Sequence, residues 1–192
     1  MRHTLLAALL AAALTACGGG SIAELKLMDA PPDGVTAVHV TVASMQVHVD
    51  EPKSSKNGDP ADGSIDDDDK WVSLQVNKKI DLVAHQGETA ADVLGQLDLP
   101  EGKITQLRLV LDTSKPENNT ATYKGKECHL DVARIDKKGV KINHVFKAFD
   151  SKSNAKHEVI VDFELDKSMK AKGDCFELEP KLKLHKVKTD GA

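Results

Sequence analysis

The side chains best placed to do chemistry in this sequence are acids crowded into one segment. Asp50–Lys70 holds eight carboxylates, among them Asp59, Asp62 and the run Asp66, Asp67, Asp68 and Asp69, against three lysines. Calcium takes six to eight oxygen ligands, and Asp-rich loops supply them, so these six aspartates are the candidate metal ligands. Their spacing does not match an EF-hand loop, and consecutive aspartates repel one another and need not converge on one point. The competing reading is a solvated negative loop that aids solubility. Histidine offers a second metal chemistry. His39 and His48 would point to opposite faces of one strand unless a bulge realigns them. His129, His144, His157 and His185 fall on or beside separate strands, with neither a His-Glu-x-x-His nor a Cys-x-x-Cys pattern to gather them. Scattered exposed histidines are the expectation.

For catalysis the sequence offers one pair. Asp162 and Glu164 flank Phe163, and on a continuous strand both carboxylates would face one side about 7 Å apart, a separation that glycosidases use. Two outward acids on a strand are common, and a sugar cleft would want more aromatic rings than this chain has. Gly-x-Ser-x-Gly and the glycine-rich phosphate motifs are absent. The expectation is therefore a non-enzyme. Arg108, between Leu107 and Leu109, points away from the core parity and is expected to pair with a cross-strand acid.

Three thiols remain to be placed. Leu14-Thr15-Ala16-Cys17 resembles the bacterial lipobox, in which the cysteine receives a diacylglycerol and becomes the mature N-terminus. The residues before it have the form of a secretory signal: Arg2, the apolar run Thr4–Leu14, then small residues. That run is too short for the roughly 20 residues of a membrane-spanning helix. Residues 1–16 are thus expected to be cleaved, and Cys17 to carry the lipid ahead of a short tether that ends at Ser21. Enteric lipoproteins kept in the inner membrane typically carry Asp after the cysteine. Here it is Gly18, which implies the outer membrane, on a face that the sequence leaves open. Cys128 and Cys175 would then lie in an oxidising compartment, where they are candidates for a disulfide, two unpaired thiols being the alternative.

Composition narrows the partners. The chain has 192 residues and a net charge of −4, and aromatics make up only 3%. A nucleic-acid surface needs a basic stripe and stacking rings, so no nucleic-acid partner is expected. The expected partners are the membrane, through the lipid, and a protein of the cell envelope, with no cofactor unless calcium occupies the acidic loop. The oligomeric state is open.

The elements that must position these residues read as strands. Period two dominates from Ile22 onward. Leu25 and Leu27 share a face, Val38, Val40 and Val42 share another, and Met45, Val47 and Val49 continue after a shift of one residue, which predicts a β-bulge near Ala43-Ser44. Further strands are predicted at Trp71–Leu74, Ile80–Val83, Lys103–Asp112, Gly125–Val132, Gly139–Phe149, His157–Leu165 and Cys175–Leu184. Thr89-Ala90-Ala91-Asp92 has the spacing of a capping box, so one short helix is expected from there to Asp98. About nine strands and one helix predict an all-β fold, an antiparallel β-sandwich of the immunoglobulin or transthyretin kind, as one domain over 22–188 with the acidic loop at 50–70.

The ordered set Asp29-Ala30-Pro31, Val38–Val49, Trp71-Val72-Ser73-Leu74, Ile80-Asp81-Leu82-Val83, Leu99-Pro100-Glu101-Gly102-Lys103, Ile104-Thr105-Gln106-Leu107-Arg108-Leu109, Val161-Asp162-Phe163-Glu164 and Leu178-Glu179-Pro180 resembles the bacterial lipoprotein family called domain of unknown function 4382. The resemblance covers Leu25–Leu184. It implies a β-sandwich on a lipid anchor, transfers no catalytic residue and leaves the function open.

Overall fold

The computed structural model describes residues 21–28, 33–50, 71–88, 91–132, 139–142 and 147–190. The segment read as a signal, with Cys17, the aspartates Asp59, Asp62 and Asp66–Asp69, and His144 lie outside the described residues. Alternating apolar residues fold the rest into two packed sheets. The smaller is built from β1 (Ser21–Met28), β4 (Asp92–Leu99), β10 (Lys156–Asp162) and β13 (Lys183–Asp190), in the order β13-β10-β1-β4. The larger runs β7-β6-β2-β5-β8, from β2 (Val35–Asp50), β5 (Gly102–Leu111), β6 (Thr120–Tyr123), β7 (Lys126–His129) and β8 (Val140–Lys141). β3 (Trp71–Asp81) pairs with β2, and β9 (Phe149–Ser151) pairs with β5. β11 (Met169–Lys172) and β12 (Cys175–Leu178) form a separate hairpin.

The all-β sandwich expected from periodicity is what forms, with one difference inside it: β1 and β10 are parallel. The core lies between the inward parities. Leu25, Leu27, Val159 and Val161 of the smaller sheet meet Val38, Val40, Val42, Met45, Val47, Leu107 and Leu109 of the larger one, all at most 1% exposed. The predicted bulge is present, since the register of β2 against both β3 and β5 shifts between Val42 and Ser44. It moves Met45, Val47 and Val49 onto the buried face.

Several boundaries differ from the sequence reading. The segment expected to be a helix is β4. Leu94 and Leu97 have helical spacing because the register on β1 skips Leu94, passing from Gly95 to Val93, and Gly95 has φ +150°. A bulge adds one residue to a period-two pattern, and this imitates the three-residue spacing of a helix. The single described α-helix is instead α1 (Leu165–Ser168), where the strand read as His157–Leu165 ends early. Cys175–Leu184 is two strands broken at Pro180, Gly125–Val132 shortens to β7, and the described residues of Gly139–Phe149 supply β8 and the start of β9. The two strands read at Trp71–Leu74 and Ile80–Val83 are one, β3, followed by a 3-10 turn at Leu82–Ala84. β6 and β11, short and polar, have no counterpart in the expectation.

The register gives the sandwich two poles. Ser21 lies opposite Leu99, Lys156 opposite Asp190, Gly102 opposite Ser151 and Asp50 opposite Lys103, so all of these gather at the first pole. There the Ser21 hydroxyl meets that of Ser151 at 2.5 Å, and Ser151 also donates to the Pro100 carbonyl at 2.8 Å, joining the two sheets. The turn from β4 into β5 needs glycine at 102, because a Cβ there would stand 2.6 Å from the Asp50 carbonyl oxygen. At the opposite pole, Cys128 and Cys175 are joined in a disulfide that connects β7 to β12, with Cα atoms 5.9 Å apart. Tyr123 and Phe176 meet edge to face beside it at 5.1 Å.

Candidate functional site

The carboxylate pair suggested by the sequence is not assembled. β10 ends at Asp162, Glu164 turns to φ +36°, and the alternation that would align the two acids is lost. Asp162 accepts the Glu164 backbone N–H at 3.2 Å, and Glu164 pairs with Lys167 at 2.6 Å. Both acids stabilise the turn into α1.

Nor do the histidines converge. The bulge brings His39 and His48 onto the same, outward face of β2, but nine residues of strand hold them about 30 Å apart. His129 is exposed, and His185 donates through Nε2 to the Glu88 carboxylate at 2.9 Å. His157 is 2% exposed, on the core parity of β10, beside Thr189 and Phe149. Among the described residues no three His, Cys, Asp or Glu side chains come together as metal ligands would.

The outward face of the larger sheet carries a cluster that sequence reasoning only half found. Register places Trp71 opposite His48, Ser73 opposite Gln46, Gln46 opposite Arg108, and Arg108 opposite Lys141, in adjacent rows across β3, β2, β5 and β8. Among the described residues Arg108 therefore has no acid directly across the strands, contrary to expectation; its opposed neighbours are an amide and a second cation. Its guanidinium lies 3.6 Å over the Trp71 ring centroid. His48 meets the same ring edge-on at 5.0 Å and is itself hydrogen-bonded through Nδ1 to the Thr105 hydroxyl at 2.8 Å, which fixes the ring from the other side.

This Arg is 6% exposed, and its Nε has no hydrogen-bond partner among the described residues. The same is true of the buried indole Nε1 of Trp71. A desolvated cation–π contact is worth about 2 kcal/mol. Removing an ion from water costs several kcal/mol even after relaxation. The stacking alone thus falls short of what the burial takes, and Lys141 opposite adds repulsion. Sequence reasoning placed Arg108 on the outward parity correctly. It missed Trp71 and Lys141 because only strand register brings them alongside.

Two of the cavities lined by described residues are chemically less pointed. One of about 490 Å³ at the Ser21 pole is lined by Asp50, Glu101 and Asp150 together with Lys103 and Lys152, so its charges nearly cancel. Another of about 390 Å³ opens between Phe149 and β13, where His185 and Lys186 are already engaged by Glu88. That carboxyl is held down to about 2 by its bonds to Lys186 and His185.

Residues 21–180 match the model of a family described as a domain of unknown function (DUF4382). No curated protein matches the chain.

Proposed function

Because the chain belongs to the DUF4382 family, whose description assigns no chemistry, its role must be argued from its own polarity, and we propose that it is a non-enzymatic, lipid-anchored β-sandwich of the bacterial cell envelope that holds a partner-binding surface at a membrane. The observation that carries this reading is the gathering of Ser21, Asp50, Leu99 and Ser151 at one pole. A lipid on Cys17 would be separated from Ser21 by a tether that spans at most about 14 Å. The Ser21 pole would then face the membrane, and the disulfide-joined hairpins would face away from it. A disulfide is at home in the oxidising compartment outside the inner membrane. The non-enzymatic part of the reading is supported by the engagement of Asp162 and Glu164 in local structure.

The test is metabolic labelling with an alkyne palmitate in a bacterial host, followed by membrane fractionation. The full chain should take up label and sediment with outer-membrane vesicles, and Cys17→Ser should do neither. Unlabelled wild-type protein recovered from the soluble periplasm would end the proposal.

A further inference from the structure

We propose that Arg108, Lys141 and Trp71 form a receptor site for an oxyanion, a carboxylate or phosphate group, on the outward face of the larger sheet. Two buried donors at this site are left unmet. Arg108 is more than nine-tenths buried, yet among the described residues its Nε has no acceptor, and the indole N–H of Trp71 beneath it has none either. Buried polar atoms are nearly always hydrogen-bonded, so each exception calls for a reason. Both unmet atoms are donors, and neither Arg nor Trp can ever accept. The missing component is therefore an acceptor.

Charge fixes its sign. Arg108 and Lys141 are directly opposed in antiparallel register, so their side chains leave the same face of the sheet, a like-charged pair that a chain without a ligand would avoid. A single anion between them relieves the repulsion and supplies the acceptor. The guanidinium offers a fork of N–H groups matched to the paired oxygens of a carboxylate or phosphate, and Lys141 contributes a mobile point charge. Position is set in advance: Trp71 lies under the guanidinium, His48 fixes the ring, and His48 is bonded to Thr105. Access exists, because Lys141 and Ser73 at the margins of the cluster are exposed, while Gln46 lies between Ser73 and Arg108 and has an amide to offer the ligand. The site does not depend on the lipid anchor and stands or falls separately from it.

Trp71 is the only tryptophan in the chain, so its fluorescence reports on this site alone. The full chain in neutral detergent is titrated with sodium phosphate and with sodium acetate, against sodium chloride at matched ionic strength, and separately with phosphatidylglycerol or phosphatidylcholine vesicles. A saturable change in Trp71 emission with phosphate or acetate is expected, at least tenfold weaker in Arg108→Met and a few-fold weaker in Lys141→Gln. The exposed Lys141 variant keeps the test intact should the buried one not fold. A response to phosphatidylglycerol alone, lost in the same variants, also supports the site and assigns the phosphate to a lipid headgroup. The proposal is overturned if chloride reproduces the change, if the variants respond like wild type, or if none of the probes gives a response.

Discussion

The two poles of the sandwich solve one problem, holding two sheets and their connections together at an end, by different chemistry. At the Ser21 pole the link is a pair of buried hydroxyls, Ser21 and Ser151, with Pro100 as the second acceptor. At the opposite pole it is a covalent bond between β7 and β12, supported by the Tyr123–Phe176 contact and by backbone bonds from Leu178 to Asp131 and from Asp131 to Phe176. The difference follows from what each pole has to pack. The Ser21 pole closes long strands with buried inward faces, whereas β6, β7, β11 and β12 are four residues each and bury little on their own. Short hairpins of that kind are marginal without further support. One pole is thus sensitive to redox potential and the other to loss of a hydrogen bond.

Removing the disulfide should be the larger perturbation. The cysteines are 47 residues apart, and the chain-entropy model assigns about 4 kcal/mol to closing such a loop. Cys128→Ala with Cys175→Ala should lower the melting temperature by roughly 8–16 °C under non-reducing conditions. Amide exchange should accelerate first in β6, β7, β11 and β12. A loss below about 1 kcal/mol would mean that the Tyr123–Phe176 contact and the backbone bonds of Asp131 to Phe176 and Leu178 hold this pole unaided, and the contrast between the poles would collapse.

Ser151→Ala comes next. It removes both hydroxyl bonds and leaves Ser21, itself 1% exposed, without its partner. Stranding a buried hydroxyl costs about 2 kcal/mol, so the expected loss is about half that of the disulfide. Reductant should leave this effect unchanged. If dithiothreitol and Ser151→Ala together destabilise by much less than the sum of their separate effects, the poles are coupled through the core rather than independent.

How much of this was legible in the sequence depended on whether a feature was local. The bulge near Ser44 could be read because the valines and Met45 change parity within one run. β4 could not, since the bulge at Gly95 gave Leu94 and Leu97 the spacing of a helix turn. β6 (Thr-Ala-Thr-Tyr) and β11 (Met-Lys-Ala-Lys) are too short and polar to stand out, and they form because a longer strand or a hairpin partner is there to receive them. The outward cluster shows the same division. Arg108 was placed on the correct face by its neighbours Leu107 and Leu109, but its contacts come from three other strands and are set by pairing register. Asp162 and Glu164 failed as a pair for the opposite reason: a local turn, signalled by nothing stronger than a change of pattern at Phe163, interrupts the strand that would have aligned them.

The smallest expected effect distinguishes the poles by pH. His157 sits inside the Ser21 half of the sandwich, 2% exposed, with Nδ1 2.9 Å from the Thr189 hydroxyl and the Phe149 ring 5.1 Å away. Burial pushes its pKa below the ordinary 6.5, since the charged imidazolium would be poorly solvated there. The unfolded chain therefore binds a proton at His157 before the folded one does. Stability should fall as pH drops below 6.5, and the fall should end once the lowered folded value is passed. Paired carboxylates such as Glu88, held down to about 2, begin to lose their contribution only below their unfolded value of 4.5, so the two effects separate along the pH axis. Melting between about pH 5 and about pH 7.5 should show a slope that His157→Phe removes, while the disulfide variant keeps it. In amide exchange the slope should be concentrated in β10 and β13 and be absent from β6 and β7. An unchanged slope in His157→Phe would place the pH sensitivity elsewhere and leave the Ser21 pole distinguished by its hydroxyl link alone.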